Sequence, residues 1–177
     1  GTGVWAHELR YGDPAQAAEL GVELQELGFS ALWVPDVGGD LFGSLDNLLA
    51  GNAGDNVLNG GAGTDTLTYA GSAAGISISL ASTSAQATGG AGSDTISNFE
   101  NVTGSAFDDV ITGSTGNNVL DGGAGTDTVS FASSSTAVTV SLAVSTAQAT
   151  GGGGTDTILN FENLTGGTAN DTLTGTN

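Results

Sequence analysis

The run Gly113-Ser-Thr-Gly-Asn-Asn-Val-Leu-Asp-Gly-Gly-Ala-Gly-Thr-Asp-Thr128 repeats, with few changes, the earlier run Gly51-Asn-Ala-Gly-Asp-Asn-Val-Leu-Asn-Gly-Gly-Ala-Gly-Thr-Asp-Thr66. The offset is 62 residues. Ile76-Ser-Ile-Ser-Leu recurs as Val138-Thr-Val-Ser-Leu, and Asn98-Phe-Glu-Asn-Val-Thr as Asn160-Phe-Glu-Asn-Leu-Thr, at that offset without a gap. Two full copies and the start of a third are present. Repetition this strict implies stacked units, each burying its apolar face against the next.

Within each copy lies a nonapeptide, Gly-Gly-x-Gly-x-Asp-x-U-x, with U aliphatic. Four segments fit it fully, from Gly60, Gly89, Gly122 and Gly151. Their aspartates are Asp65, Asp94, Asp127 and Asp156, and their aliphatics Leu67, Ile96, Val129 and Ile158. Looser versions start at Gly51, Gly104, Gly113 and Gly166, with Asn56, Asp109, Asn118 and Asp171 at the sixth position. Glycines early in the unit permit positive φ and let carbonyls turn toward one point. An Asp two residues later adds a carboxylate. Oxygen-only donors of this kind suit a hard cation of high coordination number, calcium rather than zinc or copper. The closing x-U-x makes a short strand with one side chain inward, so Leu58, Leu67, Leu120 and Val129 are expected to stack as a narrow aliphatic core.

These segments resemble the repeats-in-toxin (hemolysin-type) calcium-binding nonapeptides over residues 51–177. The resemblance implies an all-β fold, a right-handed parallel β-roll or β-solenoid in which two nonapeptides make one turn and calcium sits between loops of successive turns. The implied ligands are the carboxylates of Asp65, Asp94, Asp109, Asp127, Asp156 and Asp171. With them come the carbonyls of Gly61, Gly63, Gly90, Gly92, Gly123, Gly125, Gly152 and Gly154. Loops 18 residues apart are expected to share an ion, with Asp109 and Asp127 the best pair. Across the six-residue spacers after the Gly89 and Gly151 segments, Asp94 is expected to stack with Asp109 and Asp156 with Asp171. Asn56 and Asn118 replace Asp and weaken any site in their column. The insertions 69–88 and 131–150 carry alternating strands, expected to widen the solenoid on one side.

Residues 1–50 are different. Both tryptophans, both prolines, His7 and Arg10 fall there, and no Lys, Arg, His, Pro or Trp follows Ala50. Residues 4–35 read as a βαβ unit. Val4-Trp5 is a short strand, Asp13 caps a helix with Pro14 at its first position, Gly28 ends it, and Phe29–Val34 is a second strand. The stretches Gly3-Val-Trp-Ala-His-Glu-Leu and Glu26-Leu-Gly-Phe-Ser-Ala-Leu-Trp-Val-Pro-Asp resemble the opening of luciferase-like flavin- or deazaflavin-dependent oxidoreductases. Those are (β/α)₈ barrels of ~250 residues, so this fragment cannot build a cofactor site. His7 and Asp36 are the residues to suspect, and packing is the commoner role for a lone His. A cap over the open end of the roll is another use for the segment. Residues 42–50 stay open between a helix, on the spacing of Phe42, Leu45, Leu48 and Leu49, and a degenerate nonapeptide through Asn47 and Leu49.

Composition bounds the function. Nineteen acids against one Arg give a formal net charge of −18, which repels nucleic acid and anionic lipid and leaves metal cations as the natural counter-ions. With no cysteine there are no disulfides, thiolate sites or cysteine nucleophiles. No apolar run reaches the ~18 residues of a membrane span, so membrane insertion is not expected. The absence of an initial Met and a stop within a repeat read as a fragment, and no signal peptide is visible. Catalysis within 51–177 has only carboxylates to draw on, most of them the proposed ligands, so the chain is read as non-enzymatic. The expected function is a calcium-binding structural module of a secreted or cell-surface protein, folding on extracellular calcium, with self-association or surface assembly open to it. The alternatives are a luciferase-like oxidoreductase fragment and an ice-binding β-roll, the latter with too few ranked threonines among Thr64, Thr126 and Thr155.

Overall fold

The computed structural model describes residues 47–176, and within them there is no helix, hence none long and apolar enough to cross a membrane. The βαβ reading of residues 4–35, its oxidoreductase resemblance, and His7 and Asp36 lie outside the described residues. Strands form wherever a three-residue x-U-x unit places one aliphatic inward between two outward-facing neighbours. In chain order they are β1 (Leu48–Ala50), β2 (Val57–Asn59), β3 (Thr66–Thr68), β4 (Ser77–Ser79), β5 (Gln86–Gly89), β6 (Gly92–Ser97), β7 (Asn101–Thr103) and β8 (Val110–Thr112). They continue as β9 (Val119–Asp121), β10 (Thr128–Ser130), β11 (Thr139–Ser141), β12 (Gln148–Gly151), β13 (Gly154–Leu159), β14 (Asn163–Thr165) and β15 (Thr172–Thr174). Of the two readings of residues 42–50, Leu48–Ala50 takes the strand: β1 pairs in parallel with β3, Leu49 opposite Leu67.

The chain coils between two β-layers. One runs β1-β3-β7-β9-β13-β12, with β11 and its partner β15 continuing it beside β12. The other runs β2-β6-β5, then β4-β8-β10-β14, joined by the antiparallel bridge between Ile76 and Gly89. Every coil-to-coil pairing is parallel. The exceptions are the hairpins β5–β6 and β12–β13, which turn through Gly90-Ala91 and Gly152-Gly153. A side chain completes each hairpin sheet. Gln86 accepts from Ser79 N at 2.9 Å and donates to Ser79 O at 3.0 Å, and Gln148 does the same to Ser141 at 2.8 and 2.9 Å.

Shifting by 62 residues carries β1 onto β8, β2 onto β9 and β3 onto β10, so each copy exchanges the two layers. The cause is parity: one copy holds an odd number of half-coils. The insertions therefore do not thicken one side, as the sequence suggested, but add one hairpin to each layer in turn.

Inside, the U residues stack in register. Leu67, Val102, Leu120 and Ile158 form one rank, and Ile78, Ile111, Val129 and Leu164 the other. Leu67, Leu120 and Val129 are buried as expected, while Leu58 packs partly buried against the cluster beside Ile96. Tyr69, Phe99, Phe131 and Phe161 fill the space where the coils turn. Truncating Leu120 to Ala should cost about 2–5 kcal/mol, the usual range for a buried Leu. Val119 to Ala, on the exposed side of the same strand, should stay within about 0.5 kcal/mol. Denaturant melts of both variants in calcium check the inward assignment of β9.

Candidate metal centre

An acidic residue two before an inward aliphatic reaches back to the neighbouring coil. Asp65 Oδ1 accepts from Asn47 N at 2.7 Å, Asp127 Oδ1 from Asp109 N at 2.8 Å, Asp94 Oδ1 from Asn56 N at 2.8 Å, and Asp156 Oδ1 from Asn118 N at 2.9 Å. Asp109 and Asp171 accept likewise from Ile76 N at 2.8 Å and Val138 N at 2.9 Å. Two carboxylates that the nonapeptide pattern does not contain hold the same station. Glu100 accepts from Asp65 N and Glu162 from Asp127 N, both at 2.8 Å. The signal was present: Glu100 stands two residues before Val102 as Asp65 stands before Leu67, and the pair repeats at 62.

Their second oxygens divide these aspartates. Asp94 Oδ2 accepts from the Tyr69 hydroxyl at 2.7 Å. Asp156 Oδ2 accepts from the Thr150 hydroxyl at 2.7 Å, with Phe131 standing where the first copy has Tyr69. Asp109 Oδ2 accepts from Ser105 N at 2.6 Å. Asp65 Oδ2 and Asp127 Oδ2, at equivalent places in the two copies, are buried and have no hydrogen-bond donor. An anionic oxygen in that condition costs several kcal/mol or more unless a positive charge sits against it.

The surroundings fit such a charge. A Cβ added to Gly60 would strike the Asn98 carbonyl oxygen and come within 2.8 Å of Asp65 Oδ2. At Gly122 it would strike the Asn160 carbonyl and come within 2.7 Å of Asp127 Oδ2. Only glycine leaves that space open. Asn98 and Asn160 both adopt φ of 55°, a left-handed state that Asn tolerates better than most residues. In the loops that follow, Gly61, Gly63, Gly123 and Gly125 have φ of 100°, 127°, 95° and 140°. Among the described residues no three acidic or imidazole side chains converge on one point. A cation here must therefore take carbonyl oxygens along with carboxylates, as calcium does.

Of the expected stacks, Asp109 and Asp127 are neighbours. Asp94 and Asp109 are not, because β5 and β4 lie between their strands β6 and β8, and β12 and β11 separate Asp156 from Asp171 in the same way. Gly90, Gly92, Gly152 and Gly154 serve hairpin turns, where Gly89 pairs with Gly92 and Gly151 with Gly154. Glycine spacing satisfies a hairpin turn and a two-coil loop alike, which is why one pattern covered both.

Burial pushes the Asp127 carboxyl above its ordinary 3.8; the bond from Asp109 N opposes this, and the charges of Asp109, Glu162 and Asp108 add to it. Burial likewise raises Asp156, against hydrogen bonds from Thr150 and Asn118. Burial, then the bond to Asp94, raises the Tyr69 phenol, which stays a donor. A raised folded-state value means that ionisation destabilises the fold. Stability is full below the unfolded carboxylate value and falls as pH rises through the raised one. The chelated protein should therefore lose stability as pH climbs above 3.8 and through the raised values, and calcium should flatten the trend. Denaturant midpoints across pH, with and without chelator, read this directly.

A family model for the RTX calcium-binding nonapeptide repeat matches residues 43–71, 100–133 and 161–177, in four copies. No curated protein matches the chain. The matched segments omit both hairpins, in accord with the different use made there of the Gly89 and Gly151 segments. Gly-rich loops between parallel coils, two buried carboxylate oxygens lacking a donor and the family match agree: the segments 43–71, 100–133 and 161–177 belong to the RTX calcium-binding nonapeptide repeat family, and calcium is the ion of those repeats.

Proposed function

We propose that this chain is a calcium-folded structural module of a secreted or cell-surface protein. Calcium would be held at Asp65 and at Asp127, together with carbonyls of Gly61, Gly63, Gly123 and Gly125. The carrying observation is the pair of buried, donorless oxygens repeated at the 62-residue offset. Asp94 and Asp156 already have both oxygens satisfied and act as internal fasteners. Without cations the stacked carboxylates of a chain of net charge −18 repel one another, and the narrow core offsets little of it. A site about tenfold above its dissociation constant contributes roughly 1.4 kcal/mol, so a few sites decide between coil and roll. Extracellular modules bind calcium at about 10⁻⁴–10⁻³ M, a range the cytosol does not reach, which supports folding after export. Every described carboxylate is engaged in the coil-to-coil or loop contacts of the roll or lies on its surface, which favours a non-enzymatic role.

Far-UV circular dichroism during a calcium titration after chelation tests this. The parent should gain β signal cooperatively near about 0.1–1 mM calcium and not with magnesium. Asp127→Asn should raise the midpoint by at least the roughly 10–100-fold that loss of an outer-shell partner costs. Asp156→Asn, which removes no proposed ligand, should move the midpoint far less than Asp127→Asn. An identical spectrum with and without chelator would sink the proposal.

A further inference from the structure

Asn59 and Gly60 form the one Asn-Gly pair in the sequence. A glycine after asparagine leaves its backbone nitrogen unhindered, so in a flexible chain that nitrogen attacks the asparagine carboxamide carbon. In the folded roll both reactants are held. Gly60 N donates to Ser97 O at 3.1 Å within the ladder that joins β2 to β6. Asn59 Oδ1 accepts from Gly61 N at 3.1 Å and from Asn98 Nδ2 at 2.8 Å. The second copy shows how the reaction product would sit. Asp121 occupies the equivalent position, followed by Gly122, and accepts from Gly123 N at 3.1 Å and Asn160 Nδ2 at 2.7 Å. One set of contacts serves an amide in the first copy and a carboxylate in the second.

We propose that Asn59 is a site of spontaneous deamidation that folding closes and unfolding opens, with aspartate the product the roll accepts. Gly60 N bonds to Asn59 Cγ and loses its proton, ammonia leaves, and a succinimide ring forms. Water then opens the ring at one carbonyl or the other, giving aspartate or isoaspartate. The two products have opposite consequences. Aspartate inherits the contacts of Asp121 and adds a negative charge at the entrance of the Gly60–Asp65 loop. Isoaspartate lengthens the main chain within β2, draws Gly60 N away from Ser97 O and breaks the register of the ladder. Because unfolding is taken to follow calcium loss, the proposal rests on the function proposed above.

The test incubates the full chain in calcium, in chelator, and in chelator with urea. Circular dichroism follows folding, and peptide mass mapping follows Asn59, with Asn101 and Asn163 as references. Asn59 should convert about tenfold or more slowly in calcium than in urea, since only local opening frees Gly60 N. The chelated sample should match the urea rate if its spectrum is unfolded. Equal rates in the folded and urea-unfolded samples would overturn the proposal. A chelated sample that stays folded would count against calcium-driven folding alone, and the folded-versus-urea comparison would still decide this point. Asn59→Asp should fold in calcium with the parent spectrum, and failure to do so would overturn the acceptance of aspartate.

Discussion

All but one of the described coil-to-coil steps are fastened by a carboxylate oxygen that accepts a main-chain N–H one coil away. Asp65, Asp94, Asp127 and Asp156 do this, and Glu100 and Glu162 reach the same N–H across shorter loops. Between β7 and β9 Asn118 instead donates from Nδ2 to the Glu100 carbonyl at 2.7 Å. The carboxylate bond fixes the height of its loop above the last. It thereby sets the register in which Leu67 meets Val102 and Leu120 meets Ile158. A charged acceptor makes a stronger bond than a neutral one, but it buries an anion, and the rest of the molecule must answer for that charge.

Three answers coexist in one chain. At Asp94 a phenol donates, and at Asp156 a threonine hydroxyl does, so the second copy replaces Tyr69 by Phe131 without stranding an oxygen. At Asp109 the preceding loop turns its own Ser105 N–H inward. At Asp65 and Asp127 no donor reaches the second oxygen, and Gly60 and Gly122, which lie against those oxygens, also lie against the carbonyls of Asn98 and Asn160. Those are the two described positions where a buried carboxylate oxygen lacks a donor, and where the proposed function puts the cation. On the function proposed above, binding and folding are one event, since the register bond and the cation share a carboxylate.

Much of this was legible in the sequence, because periodicity fixes both the strand and the direction of its middle residue. The inward ranks, the Asp109–Asp127 contact and the chemistry of the ion follow from residue type and spacing alone. What escaped is instructive. The Gly89 and Gly151 segments satisfy the nonapeptide pattern, yet Gln86-Ala-Thr and Gln148-Ala-Thr lie upstream with alternating inward faces and close on them as antiparallel hairpins. Local glycine spacing cannot separate the two uses, whereas the partner strand can. Glu100 and Glu162 escaped for the converse reason: they perform the Asp role inside a loop shortened to Asn-Phe-Glu, where the motif no longer matches.

The exchange of layers at every 62 residues has a mechanical side. A hairpin inserted into one wall of a solenoid acts as a wedge, and wedges repeated on the same wall accumulate into an arc. Here the wedge at β4–β6 is answered by the one at β11–β13 on the opposite wall. The hairpins of successive copies thus stand on opposite walls, and the arrangement has a true period of two copies.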